Sequence, residues 1–274
     1  MKIEREKLII PGIKKKYTFY HISDAHIVCV DENSSNEDRQ IAEKHTKKWN
    51  KIGIPPIDAF SEMIDFVNES EGDALMIAGD CTDYYRPCIA EYMRKKLSEC
   101  NKEVLYVYGN HDGADYYKSI DYKTTFPEFA PLMQNNPSHW VKDFGEFLVV
   151  GIDNSTKNIS PEQMAFLREQ ISRNVPIVIL MHIPIGSEAC DAAVAKQWGS
   201  GEEHKRYFIL GYEGSPDSGI EFTNLLKEKD NNIVAIFAGH IHIQSSGEYA
   251  PGKMQYTSAP TYEKYVRIIE IAGE

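Results

Sequence analysis

The sequence lacks the features that mark membrane-spanning and exported proteins. No run of 18 apolar residues occurs in the 274-residue chain, so no segment is long enough to cross a bilayer as a helix. Residues 1–7 contain no apolar core of the kind that a signal peptide needs. We therefore expect a protein that has no membrane partner and resides in the cytoplasm.

Cysteine pairs and basic clusters are scarce as well. The five cysteines are odd in number and none is spaced as Cys-x-x-Cys, which indicates a reduced protein without a cysteine-rich zinc site. The longest basic run is Lys14-Lys15-Lys16, and the formal net charge is −11. Proteins that bind duplex nucleic acid usually carry a concentrated basic surface. The sequence therefore argues against a nucleic acid partner.

The composition is that of an ordinary globular protein, with 42% hydrophobic and 26% charged residues. The length suits one large α/β domain or two small ones. Because we find no internal repeat, linker or low-complexity segment, we predict a single domain over residues 1–274. Between residues 17 and 108 the pattern is strand, helix, strand, helix, strand, which predicts parallel strands joined by right-handed crossovers.

The rest of the chain continues this alternation. The sequence predicts strands at 139–144, 147–152, 176–181, 233–238, 254–258 and 264–272, with helices at 160–172 and 217–229. Three long segments interrupt the pattern, near 28–55, 113–138 and 184–215. The first is either a lid or binding loop, or a plain insertion with a short helix around 39–49.

Five of the predicted strands end in residues that can bind metal ions. They are Asp24 and His26; Asp80 and Asp83; Asn110 and His111; His182; and His240 and His242. In open α/β sheets, ligands bind beyond the carboxyl ends of the strands, so these side chains are expected to converge. Carboxylate, amide and imidazole groups suit Mn, Fe or Zn.

So many ligands exceed the needs of one tetrahedral ion and instead suit two ions that share a bridging carboxylate, for which Asp80 is the natural candidate. Taken singly, each residue has a plainer interpretation. Asp80 could be a turn residue, Asp83 a helix cap and His182 a packed core histidine. If the chain is extended at 240–242, His240 and His242 point the same way, which favours a shared site.

The motifs Asp-x-His at 24–26, Gly-Asp-x-x-Asp at 79–83, Gly-Asn-His-Asp at 109–112, the lone His182 and Gly-His-x-His at 239–242 follow one another in order. This series resembles the calcineurin-like metallophosphoesterase superfamily. The resemblance implies an α/β fold, a four-layer α/β/β/α sandwich of two mixed sheets flanked by helices. It also implies a centre of two divalent metal ions and a small-molecule phosphate ester as substrate.

The resemblance implies a role for each residue. Asp24, His26 and His242 would hold one metal, Asn110, His182 and His240 the other, and Asp80 would bridge them. His111 would be the catalytic histidine, oriented by Asp83, while a metal-bridging hydroxide attacks a phosphate mono- or diester.

Two differences from the phosphoprotein phosphatases, a branch of this superfamily, argue against a protein Ser/Thr phosphatase. Tyr84 stands where phosphoprotein phosphatases carry an arginine, and Asp112 replaces their glutamate. The set resembles the bacterial phosphodiesterase and phosphomonoesterase branches more closely. Two alternatives stay open: a non-catalytic scaffold or interaction subunit on the same fold, and a nuclease of the same superfamily. The sequence identifies neither the substrate nor the oligomeric state.

Overall fold

The computed structural model describes residues 1–114 and 120–274, so part of the predicted loop at 113–138 lies outside the described residues. The described strands form two mixed sheets. The first sheet has the order β1-β11-β2-β3-β4. Its strands are β1 (Lys2–Ile9), β2 (Tyr17–Ile22), β3 (Ala74–Ile77), β4 (Glu103–Tyr106) and β11 (Tyr265–Ala272).

The second sheet has the order β5-β6-β7-β8-β10-β9. Its strands are β5 (His139–Asp143), β6 (Leu148–Ile152), β7 (Ile177–Leu180), β8 (Ile233–Ala238), β9 (Ser245–Ala250) and β10 (Lys253–Thr257). As predicted, β2, β3 and β4 are parallel neighbours, and β5 and β6 form an antiparallel hairpin. The sequence analysis missed β1 and β9, both at sheet edges.

Helices flank the two sheets. They are α1 (Asn36–Trp49), α2 (Pro56–Glu69), α3 (Pro87–Ser98), α4 (Phe126–Phe129), α5 (Pro161–Ser172), α6 (Glu188–Gln197), α7 (Glu202–Phe208) and α8 (Asp217–Lys227). The segment near 28–55 therefore contains a full helix, α1, which begins with a capping box between Ser35 and Asp38. The segment at 184–215 contains α6 and α7, which the sequence analysis did not predict.

The buried residues confirm the four-layer arrangement. Alternate residues of β7 point to opposite faces, as the period of a strand requires. Val178 and Leu180 join the core that also contains the first sheet, whereas Ile177 and Ile179 pack with side chains of α5 and α8. The same packing leaves the carboxyl ends of β2, β3, β7 and β8 near one another. Among the described residues, no helix is long and apolar enough to cross a membrane.

Candidate metal centre

Five of the predicted metal ligands, at the ends of the strands, have an unusual backbone conformation. Asp24, His26, Asp80, His240 and His242 all have a left-handed φ, between 46° and 69°. Such a conformation costs about 1–3 kcal/mol for a residue other than glycine and persists only where the surroundings enforce it. Strained backbone of this kind clusters at functional sites.

Hydrogen bonds between neighbouring strand ends enforce this conformation. The amide of Asp24 donates to the carbonyl of Gly79 at 2.9 Å, and the amide of His26 donates to the carbonyl of Asp80 at 3.0 Å. The amide of His240 donates to Asp24 Oδ2 at 3.0 Å, which ties the second sheet to the first. Gly79 is required here, because a Cβ atom would lie 2.6 Å from His182 Nδ1.

Three of the predicted ligands form a first group: Asp24, His26 and His242. His242 Nε2 lies 3.2 Å from Asp24 Oδ1 and 3.2 Å from His26 Nε2. Asp24 and His26 are completely buried. The group therefore combines two residues that follow β2 with one that follows β8.

A second group contains Asp80, His182 and His240. His182 Nε2 lies 3.1 Å from Asp80 Oδ2, 3.2 Å from His240 Nδ1 and 3.1 Å from Asn110 Oδ1. The other oxygen of Asp80 accepts the amide of His111 at 2.8 Å. The structure thus brings all seven predicted metal ligands into two groups. The extended conformation considered for 240–242 is absent: left-handed turns at both histidines send His240 and His242 to different groups.

Three of the four imidazoles in the two groups have a partner at the outer nitrogen that fixes the orientation of the ring. His182 Nδ1 lies 2.7 Å from the carbonyl of Ala78, and His26 Nδ1 lies 3.0 Å from Asp83 Oδ1. His242 Nδ1 lies 3.1 Å from the hydroxyl of Tyr262. In metal sites a histidine typically donates its second N–H in this way and presents the other nitrogen to the ion.

The donor atoms fit divalent metal ions. Asp24 Oδ1, which faces His242 in the first group, is buried and makes no well-aligned hydrogen bond to a described atom. Imidazole nitrogens that face each other at 3.2 Å can share at most one proton. Ligands at roughly 2.0–2.2 Å from one ion lie about 3–3.5 Å from each other, as these atoms do.

Asp83 is a buried carboxylate that meets three imidazoles. Its Oδ1 lies 3.0 Å from His26 Nδ1 and 3.4 Å from His111 Nδ1, and its Oδ2 contacts His45 Nδ1. The closest partner of His111 Nδ1 is the backbone carbonyl of Asp83, at 2.8 Å. Sequence reasoning assigned no role to His45. It comes from α1, about 40 residues away in sequence, and no local motif marks it.

These contacts set the charge state of the catalytic candidate. Burial lowers the pKa of His111, but Asp80 and Asp83 outweigh burial and raise it to about 9. Burial likewise raises the pKa of Asp83, yet the hydrogen bonds from His111, His26 and His45 hold that pKa far below the usual range. The two carboxylates therefore favour the protonated form of His111, which is the form that can donate a proton.

A cavity of about 220 Å³ opens over these groups. Asp80, Asn110, His111, His240 and His242 form its floor. Its walls are Lys48 and Trp49 of α1, and Trp198, Tyr207 and Phe208 of the segment at 184–215. The sequence analysis identified both segments as insertions but assigned none of these wall residues, because their convergence is a tertiary contact.

A comparison with models of protein families identifies the family of this chain. The calcineurin-like phosphoesterase model matches residues 17–244, which span all the predicted site residues. The chain belongs to the calcineurin-like phosphoesterase family. A search of curated protein sequences gave no match.

Solved structures of similar fold are distant in sequence. A dimetal phosphatase from Danio rerio has 12% identity and a TM-score of 0.51, with 90% of this chain and 88% of that chain covered. A protein of Thermus thermophilus has 13% identity and a TM-score of 0.50, over 91% and 92% of the two chains. At such identities the likeness shows the fold alone, so the chemistry must be argued from the site.

Proposed function

We propose that this protein hydrolyses phosphate mono- or diesters of small molecules at a centre of two divalent metal ions, within a single domain. The observation that carries the proposal is the pair of adjacent groups, Asp24, His26 and His242 beside Asp80, His182 and His240. Asn110 completes the second group, and Asp80 is the bridging candidate. Membership in a phosphoesterase family and the likeness to a dimetal phosphatase support it.

The chain's own groups divide the work. Bound Mn, Fe or Zn ions would supply charge neutralisation on the phosphoryl oxygens and acidification of water. His111 lines the cavity and carries a proton that it can donate to the leaving oxygen or to a phosphoryl oxygen. The carbonyl of Asp83 holds Nδ1 of His111, which leaves Nε2 as the nitrogen for the substrate. The buried Asp83 carboxylate stabilises the imidazolium.

The test compares His111→Gln with His139→Gln, which alters a half-buried histidine on β5 in contact with Phe166. Each protein is loaded with Mn²⁺, its metal content is measured, and its hydrolysis of phenyl phosphate and diphenyl phosphate, whose leaving oxygen needs a proton, is followed. We expect His111→Gln to keep its metal and to lose about 10²–10⁴-fold in kcat, the range for a general acid. We expect His139→Gln to behave as the wild type.

Three results would contradict parts of this account. An unchanged rate in His111→Gln would remove His111 from the mechanism. Two bound metals without turnover of any ester would instead support the non-catalytic scaffold. Cleavage of plasmid or single-stranded DNA in preference to small esters would support a nuclease.

A further inference from the structure

The walls of the cavity above the metal groups are unusual in composition. Apart from the floor, the described lining residues are four aromatic side chains and one lysine, and no aliphatic side chain is among them. Ligand pockets usually mix apolar aliphatic and aromatic groups. A wall made only of rings offers π-faces, which favour flat partners in stacked or edge-on contact.

One wall is a stack of rings from the segment at 184–215. Phe208 stacks on Trp198 with ring centroids 4.6 Å apart and planes 19° apart. Tyr207 meets Phe208 edge-on at 4.8 Å and lies nearly parallel to the ring of His240 at 6.1 Å. Tyr207 is 62% exposed, so the inner packing of the protein does not depend on it.

This wall is fixed to the rest of the site. The indole Nε1 of Trp198 donates to the carbonyl of Ile241, between the two site histidines, at 2.8 Å. Lys157 Nζ donates to the carbonyl of Tyr207 at 2.7 Å and also contacts that of Arg206. These bonds hold the end of α7 over the floor, so the wall has a defined position before a ligand arrives.

The opposite wall comes from α1. Trp49 stacks on the ring of His26, with centroids 4.0 Å apart and planes 14° apart. The Lys48 ammonium lies 4.1 Å above the Trp49 ring. In a chain of net charge −11, a cation at the mouth of the cavity provides local attraction for an anion. The cavity therefore combines an anion-attracting edge with aromatic faces on two sides.

On this basis we infer that the substrate is a phosphate ester whose alcohol carries a planar ring close to the phosphate, as in a nucleoside phosphate or an arylmethyl phosphate. The inference rests on the proposed function. The cavity is smaller than the roughly 300–1,000 Å³ pockets that enclose drug-sized ligands, so it has room for the phosphate and about one ring. Tyr207 is the specificity-determining residue that covers the ring.

The experiment uses pairs of esters that differ in the ring and that both release a primary alcohol. Benzyl phosphate is compared with cyclohexylmethyl phosphate, and adenosine 5′-phosphate with ribose 5-phosphate, each also as its methyl diester. We expect the Mn²⁺-loaded protein to favour the planar member of at least one pair by about tenfold in kcat/KM, as stacking of one ring on aromatic side chains would give. Preference in the nucleoside pair alone identifies a nucleoside phosphate, and preference in the benzyl pair alone an aryl ester.

Variants at position 207 separate stacking from bulk. Tyr207→Leu keeps an apolar side chain without a π-face, and we expect it to reduce the preference to about twofold or less through a higher KM. Tyr207→Phe keeps the ring and should retain the preference. Asp230→Asn, at an exposed residue outside the cavity, is the control and should keep both the preference and the rate on every ester.

Binding of unreactive analogues provides a readout that does not depend on turnover. Benzylphosphonate and cyclohexylmethylphosphonate are titrated while tryptophan fluorescence is followed, since Trp49 and Trp198 line the cavity. Tighter binding of benzylphosphonate that Tyr207→Leu abolishes supports the inference. Equal affinities, or equal kcat/KM for planar and saturated rings, would overturn it while leaving the proposed function intact. Hydrolysis of no ester would contradict the proposed function, and the phosphonate titration would then decide whether the ring preference exists.

Discussion

The two sheets contribute different chemistry to the same site. Among the described residues, the ends of β2, β3 and β4 in the first sheet provide every carboxylate that the metal groups and His111 contact, together with Asn110, His26 and His111 itself. The ends of β7 and β8 in the second sheet provide only imidazoles, from His182, His240 and His242. Negative charge thus comes from one side of the cleft, and imidazole nitrogen donors come from the other.

Because the ligands are divided in this way, the two metal groups form only when the two sheets pack together. The first and the second metal group each take ligands from both sheets. A third cluster whose side chains could hold an ion, His26, Asp83 and His111, comes from the first sheet alone. Two dications close together repel each other strongly, and only the first sheet supplies the anions that offset this repulsion. We therefore expect loss of a first-sheet carboxylate to cost more metal affinity than loss of a second-sheet imidazole.

The largest effect is expected for Asp80→Asn, which removes the charge between the groups. A unit charge about 4 Å from another is worth roughly 4 kcal/mol at an effective dielectric near 20, or about 10³-fold in affinity. Mn²⁺ titration by calorimetry would measure it, with the exposed Asp230→Asn as the control. His182→Gln should cost about 10²-fold. A greater loss for His182→Gln than for Asp80→Asn would contradict the division between the sheets.

A smaller effect is expected for His45→Gln, which sharpens the comparison within the first sheet. His45 touches no metal group directly but contacts Asp83, which in turn contacts His26 and His111. Loss of an outer partner of this kind typically costs about 10–100-fold. We expect kcat to fall about tenfold with KM and metal content unchanged. Loss of bound metal in His45→Gln, or wild-type kcat, would show that His45 does not position His111 through Asp83.

A third effect, on stability rather than on activity, concerns a carboxylate of the second sheet that lies outside the metal groups. Asp153 follows β6, and burial raises its pKa to about 6. Because the folded-state pKa is above the unfolded value, the fold disfavours the charged form, and the penalty grows as the pH rises from about 4 to 6. Asp153→Asn should therefore raise the free energy of unfolding by about 2 kcal/mol more at pH 8 than at pH 4.

Urea unfolding at both pH values would measure this difference, with Asp230→Asn again as the control. An equal effect of Asp153→Asn at the two pH values would show that Asp153 is not destabilised by its charge.

The sequence predicted the strand ends well because their signal is local. Apolar runs that stop at Gly79-Asp80 or at His182 show where a buried strand ends. A polar residue at such a position is expected to lie at the edge of the sheet, where the site forms. The sequence could not show that β7 and β8 belong to a different sheet from β2 and β3. It also could not show the left-handed backbone at His240 and His242, because glycine is the residue that usually indicates this conformation in a sequence.

The parts that sequence reasoning missed depend on distant contacts. The alternating charged residues of β1 are typical of a solvent-exposed segment. In the structure, Arg267 pairs with Glu4 and Glu6 of β1 at the edge of the sheet. His45 and Tyr207 lie on helices that carry no catalytic motif. They reach the site because the two insertions pack over the cleft. Their roles follow from where α1 and α7 end, which no short pattern encodes.

The measurement that tests the central claim most directly is anomalous diffraction from crystals of the protein grown with Mn²⁺. The account predicts two manganese peaks, one contacted by Asp24, His26 and His242, the other by Asn110, His182 and His240, with Asp80 in contact with both. A single peak, or a pair of which neither contacts Asp80, would contradict it.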